Sequence, residues 1–234
     1  MTASHPSSRP VLLIHGFGQT TEVLWRRAGW IRDLEAADRT VIGIDLPGHG
    51  TESDDPDRDP ADLILEQAAK HGSVDAVGFS IGAWALLAAA AERPELFHRI
   101  AVIGAGDMVL TQALHTPESQ QPMIDVLRAA EAPKDNPMAT GLLAQLAAAG
   151  NDRHAAADFL TADKRFPSLE ELARITAPTL TVEGTADPVG PSELVAQTIP
   201  NSERLLIEGG ADHFGLPLAA EVKSAVLPFI NQEG

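Results

Sequence analysis

The sequence predicts an α/β fold: a doubly wound, mostly parallel sheet of about six strands carrying a helical insertion. Three observations predict it. Short β-branched apolar runs alternate along most of the chain with longer runs rich in alanine and leucine, the pattern of parallel βαβ units. The short runs are apolar at consecutive positions, as expected of strands buried on both faces. One long stretch, residues 107–176, breaks the rhythm and contains no strand-like run.

Taken in order, PVLLIHG at 10–16 is a continuous apolar run ending in glycine and forms the first predicted strand. Residues 22–37 read as a helix that continues through Gly29. RTVIGIDLPGHG, 39–50, gives the second strand and runs into a Pro/Gly turn at 47–50. DDPDRDP, 54–60, is a solvated loop before a helix at 61–71. VDAVGF, 74–79, is the third strand; the helix after it, 81–92, must stop before Pro94. HRIAVIGAG at 98–106, APTLTVEGTADP at 177–188 and SERLLIEGGADHF at 202–214 carry the remaining strands, with helices at 191–197 and 216–230. Within 107–176 the pattern gives three helices, 118–130, 137–149 and 152–162. Such a span far exceeds the roughly 2–6 residues of an ordinary βα connection. The expected organisation is a disordered tail at 1–9, a core made of 10–106 and 177–234, and a helical cap at 107–176 over one edge of the sheet.

Composition narrows the function classes. The formal net charge of −16 excludes a phosphate-binding surface of clustered Lys and Arg, so no nucleic-acid partner is expected. The absence of cysteine removes disulfides, thiolate nucleophiles and cysteine metal sites. No uncharged apolar run approaches the roughly 18 residues of a membrane span, and MTASHPSSRP lacks the apolar core of a signal peptide. A cytoplasmic protein without a membrane partner is expected. The carboxylates Asp54, Asp55, Asp57 and Asp59 lack the mid-loop glycine and closing glutamate of a calcium loop, so no metal site is expected.

The chemistry concentrates at strand ends. In GFSIG, Ser80 lies between Gly78 and Gly82 where the third strand passes into a helix. A turn tight enough to expose Oγ there forces φ > 0 and small neighbours, and it leaves the Ile81 N–H at a helix start, where negative charge is favoured. A serine nucleophile needs a base, and the base an orienting acid. His213, in GGADHFG, follows the last strand and Asp187, in EGTADPVG, follows the one before. The chain order Ser80, Asp187, His213 is that of nucleophile-elbow enzymes. Asp107, just past the fourth strand, is an alternative acid. Asp212 is expected to hold its loop through backbone bonds. His49 reads as a turn residue, His71, His98, His115 and His154 as surface positions, and His5 belongs to the tail. In HGFGQT the glycines leave the Phe17 N–H free to face a developing oxyanion opposite Ile81, with His15 fixing the loop.

With HGFG (15–18), DLPGHG (45–50), GFSIG (78–82), GTADP (184–188) and GADHF (210–214) in this order along nearly the whole chain, the protein resembles the α/β-hydrolase superfamily, in its small esterase, lactonase and C–C hydrolase branch. The resemblance implies a Ser–His–Asp triad of Ser80, His213 and Asp187, Phe17 and Ile81 as backbone oxyanion donors, a helical cap, and no cofactor. The chain departs from the family in beginning almost directly with the HG strand, and in having Asp212 where a small residue is commoner.

The expected activity is hydrolysis of a carboxylic ester or lactone through an acyl-enzyme. Met108, Met123, Met138 and Leu142, with Leu143 and Leu146, offer flexible apolar surface for a hydrophobic small-molecule substrate, or else pack the cap onto the sheet. Trp84 belongs to the core. The same scaffold also hosts C–C hydrolases, cofactor-free lyases, perhydrolases and non-catalytic binding modules. A binding module would have lost a triad member, and this chain keeps all three.

Overall fold

The computed structural model describes residues 9–52, 54–110, 117–129, 135–209 and 212–232. Six strands form one sheet in the order β2-β1-β3-β4-β5-β6, and every neighbouring pair is parallel. They are β1 (Val11–Ile14), β2 (Val41–Ile44), β3 (Val74–Phe79), β4 (Phe97–Ile103), β5 (Thr179–Gly184) and β6 (Ser202–Ile207). The helices are α1 (Trp30–Glu35), α2 (Pro60–Ala69), α3 (Ile81–Glu92), α4 (Pro117–Arg128), α5 (Pro137–Ala149), α6 (Arg153–Thr161), α7 (Leu169–Leu172), α8 (Glu193–Thr198) and α9 (Ala220–Ile230). Among the described residues no helix is long and apolar enough to cross a membrane.

Each central strand is buried on both faces, and its alternate residues feed two cores. Leu12 and Ile14 of β1 join Leu86 and Leu87 of α3 and Leu63 and Ile64 of α2 on one side. Val11 and Leu13 join Trp25, Trp30 and the α9 residues Val222 and Val226 on the other. That two-sided burial is why the strands read as uninterrupted apolar runs.

Most elements fall where the sequence puts them, and the differences have local causes. The helix expected over 22–37 is split: Thr21–Arg26 winds as a π-helix, and α1 begins after Gly29, whose φ of 79° is left-handed. A helix cannot pass through that conformation. The last helix is likewise preceded by a separate 3-10 turn at Leu216–Leu218. The short helix α7 was not expected, although Ser168 and Glu171 form a capping box that the S-x-x-E spelling announces. Residues 1–8 of the expected tail and His115 lie outside the described residues.

At the amino ends of the strands a buried ion pair ties the chain together. Arg39 and Asp75, 2% and 1% exposed, are bonded to one another. Arg39 also donates to the carbonyls of Ile230 at 2.9 Å and Arg9 at 3.0 Å. His98, expected at the surface, is half-buried, with Nδ1 2.9 Å from the second Asp75 oxygen. Asp75→Asn keeps the shape but strands the Arg39 charge, which costs about 3–5 kcal/mol for a buried pair. Urea unfolding of that variant should show a midpoint lowered accordingly; a wild-type midpoint would remove the pair from the stability of the fold.

Candidate active site

The strand order reverses at β1: the chain leaves it first for β2 on one side, then returns to β3 on the other. In open parallel sheets such a switch opens a crevice beyond the carboxyl ends of the two strands. Ile14 of β1 pairs with Gly78 of β3, so the loop after β1 and the turn after β3 emerge side by side in that crevice.

Ser80 makes the turn. Its backbone has φ 54° and ψ −122°, a conformation that typically costs on the order of 1–3 kcal/mol. The surroundings hold it there: its N–H donates to the Ile103 carbonyl at 2.9 Å and its own carbonyl accepts from Ala83 N at 2.9 Å. The flanking glycines are required by contact. A Cβ on Gly82 would lie 2.2 Å from the His15 carbonyl oxygen, and one on Gly78 would lie 2.7 Å from Ala83 Cα.

Three side chains meet at this turn. His213 Nε2 lies 2.7 Å from Ser80 Oγ, and His213 Nδ1 lies 2.9 Å and 3.1 Å from the two Asp187 carboxylate oxygens. Facing a carboxylate, Nδ1 carries the proton, which leaves Nε2 as the acceptor for the serine hydroxyl. The Val189 N–H holds Asp187 Oδ1 at 3.0 Å. Phe79 and Phe214 bracket the imidazole, with ring centroids 5.0 Å and 5.5 Å away. A hydroxyl, imidazole and carboxylate chained in this way can deliver an alkoxide to a carbonyl and take up its proton.

Asp107, the alternative acid, is not brought to His213. Its carboxylate accepts from Leu194 N at 2.9 Å and Val195 N at 3.2 Å at the start of α8. Asp212 accepts from Gly215 N at 2.9 Å and so ties down the His213 loop.

The loop after β1 is held by two histidines. His15 Nδ1 donates to the Gly16 carbonyl at 2.7 Å while Nε2 accepts from Leu46 N at 3.0 Å. His49 Nδ1 donates to the Pro47 carbonyl at 2.9 Å while Nε2 accepts from Gly18 N at 3.0 Å. Each ring thus uses one donor and one acceptor, which requires the neutral form. Burial lowers the His15 pKa and takes that of His49 down to about 3, against the pull of their backbone carbonyl partners. His49 is therefore a cross-brace and not merely a turn residue. Gln145 of α5 completes the grip, its Nε2 donating to the Phe17 carbonyl at 3.2 Å. The peptide between Phe17 and Gly18 is clamped at its oxygen by Gln145 and at its N–H by His49. Sequence reasoning missed both residues; for His49 the PGHG spelling was visible, but its partner 31 positions away was not.

Ser80, His213, Phe17 and Ile81 face a cavity of about 270 Å³ whose far wall is made by Met123, Leu142 and other residues of α4, α5 and α6. Among the described residues, neither the Phe17 nor the Ile81 N–H is paired with a backbone carbonyl. Of the expected apolar contributors, Met123 and Leu142 line the cavity. Met108 does not: it sits on the turn that Asp107 pins to α8, beside Gly190. Leu146 is buried among Leu127, Ala156 and Ala157, with Leu143 packed against them. The side chain of Met138 lies outside the described residues. Trp84 is 2% exposed in the core, as expected. Among the described residues no group of His, Asp and Glu side chains is arranged to hold a metal ion.

Residues 11–224 match the alpha/beta hydrolase family. The chain belongs to this family, and the membership supports a hydrolase. It is 34% identical over 101 residues to pyrrolizixenacetamide deacetylase of Xenorhabdus hominickii, a match spanning 41% of this chain but only 37% of that protein. Among solved structures, it is similar to a hydrolase from Pseudomonas aeruginosa PA01, with TM-score 0.66 and 23% identity over 97% of this chain and 91% of that one. It is similar also to the enol-lactonase from Burkholderia xenovorans LB400, with TM-score 0.68 and 19% identity over 97% of this chain and 93% of that one. At these identities the structural likeness is one of fold.

The two neutral histidines make stability depend on pH. In the unfolded chain an imidazole titrates near its ordinary value of 6.5, whereas burial takes the pKa of folded His49 down to about 3. Between those values the unfolded state binds more protons, so the contribution is complete above the higher one and is lost as pH falls towards the lower. The unfolding free energy should drop as pH falls from about 6.5 towards about 3, and His49→Gln should flatten that drop. Equal slopes in the two proteins would show that His49 is not held neutral.

Proposed function

We propose that the protein is a serine hydrolase cleaving a carboxylic ester or lactone through an acyl-enzyme. The observation that carries this reading is the unbroken hydrogen-bond chain from Ser80 Oγ through His213 to Asp187. Ser80 attacks the carbonyl carbon as His213 Nε2 takes its proton. The Phe17 and Ile81 N–H groups stabilise the oxyanion, each such donor contributing on the order of 3 kcal/mol. His213 then protonates the leaving alcohol, and water repeats the sequence on the acyl-serine. Asp187 keeps the imidazole in the required tautomer and stabilises the imidazolium. The helices between β4 and β5 act as a cap over this centre, and the apolar walls supplied by Met123 and Leu142 suit a hydrophobic small molecule. The names of the deacetylase and the enol-lactonase are in keeping with acyl transfer to water.

Ser80→Ala should abolish both turnover of p-nitrophenyl butyrate and labelling by a fluorophosphonate, and Asp187→Asn should lower kcat by about 10⁴-fold. A burst of p-nitrophenol before steady state would mark the acyl-enzyme. Full-stoichiometry labelling of the Ser80→Ala protein would refute the assignment of the nucleophile.

A further inference from the structure

The cavity above Ser80 does not end at its own wall. A second chamber of about 250 Å³ adjoins it, and Ser119, Met123 and Leu142 line both spaces. Beyond them the chamber is bounded by Pro122, Val126 and Ala139, with Asn136 also lining it. Ser119, Pro122, Met123 and Val126 recur at spacings of three and four residues, which places them along one face of α4. Ala139 and Leu142 present the matching edge of α5. The neighbouring face of α4 is committed elsewhere: Ile124 and Leu127 are buried, and α4 packs mainly against α6. Ala139 contributes only a methyl group to the wall on the α5 side. Met123, 39% exposed, stands at the neck between the two spaces, and an unbranched thioether can swing there with little loss.

Neither space alone reaches the roughly 300–1,000 Å³ of an ordinary ligand pocket, whereas both joined do. We infer that the α4–α5 chamber is the continuation of the active site and receives the far end of a linear alkyl chain on the substrate. The occupant is apolar because the walls beyond the neck are mostly apolar. It is linear because it must pass Met123 with its reactive carbonyl still at Ser80. This deepens the ester hydrolase reading and rests on it for the chemistry, but the binding of an alkyl chain does not require turnover.

Two substrate series test it: p-nitrophenyl esters with acyl chains from acetyl to decanoyl, and alkyl acetates from ethyl to decyl. Each is assayed on wild type, Val126→Trp and Ala139→Phe, with circular dichroism confirming that the variants fold. Burial of a methylene strengthens binding about fourfold, so filling the chamber should cut the ratio of kcat/KM between the longest and shortest members by about tenfold or more. A fall confined to the acyl series puts the chain on the acid side of the ester, one confined to the acetates puts it on the alcohol side, and either supports the chamber. Folded variants whose ratios stay at the wild-type value in both series overturn it. Calorimetric binding of 1-butanol through 1-decanol to the Ser80→Ala protein separates the two readings. Affinity that rises with chain length there and is lost in Ser80→Ala/Val126→Trp supports the chamber even if no ester is turned over. Affinity indifferent to chain length counts against it whatever the catalytic result.

Discussion

The site depends on a steric bargain at one residue. A serine at φ 54° points its hydroxyl out of the sheet only while the chain on both sides can close against its neighbours. Gly82 presses on the His15 carbonyl and Gly78 on Ala83, so the turn is locked between β1 and α3 with no room for a side chain. The fixed geometry then places Ser80 Oγ at one end of the crevice and the Ile81 N–H at the start of a helix. α3 is buried along most of its length, with Ala83, Ala89 and Ala90 at 0% exposure.

A second constraint is electrostatic. A chain carrying a net charge of −16 would favour cationic histidines at long range, yet His15 and His49 are kept neutral because burial removes the water a charge would need. Asp45, nearby, stays ionised: burial pushes its pKa up, but the N–H groups of Thr21 and Thr51 bonded to its carboxylate bring it below the usual carboxylate range. It thus braces the turn that carries His49, whose acceptor nitrogen sets the peptide after Phe17. Local hydrogen bonding outweighs the overall charge because it acts at about 3 Å in a poorly screened interior, where the effective dielectric constant is far below that of water.

How legible all this is in the sequence follows from the range of the forces involved. The strand-helix alternation, the bounds of β3 and α3, and the nearness of Ser80, Asp187 and His213 can be read directly, because periodicity and chain order along a parallel sheet determine them. The break at Gly29 and the cap on α7 rest on local signals, a glycine that takes a left-handed φ and an S-x-x-E spelling. The second role of His49, the hold of Gln145 on Phe17, the departure of Asp107 to α8 and the displacement of Met108 are of another kind. Each is decided by a partner from a distant segment, Leu194 for Asp107 and Phe17 for Gln145, and no one-dimensional pattern encodes which of several polar groups within reach will win.

The helical insertion shares more with the reacting centre than a wall. Gln145 holds the Phe17 carbonyl, and Asn151, two residues past the end of α5, donates to the Gln19 carbonyl at 3.1 Å while accepting from Gly50 N at 2.9 Å. Phe159 of α6 stacks on Phe17 with centroids 6.2 Å apart and meets the edge of His49 at 5.3 Å. The elements that line the proposed alkyl-chain space are thus bonded to the loop that carries a proposed oxyanion donor. A shift of α5 that opened the α4–α5 chamber would pull on the Phe17 peptide through Gln145, whereas a chain that fills the chamber without moving α5 leaves that peptide where the two histidines set it. On the proposed reading, the fit of a substrate's remote end and the setting of the Phe17 loop share the same α5 contacts, which gives binding energy gained far from the carbonyl a path to it.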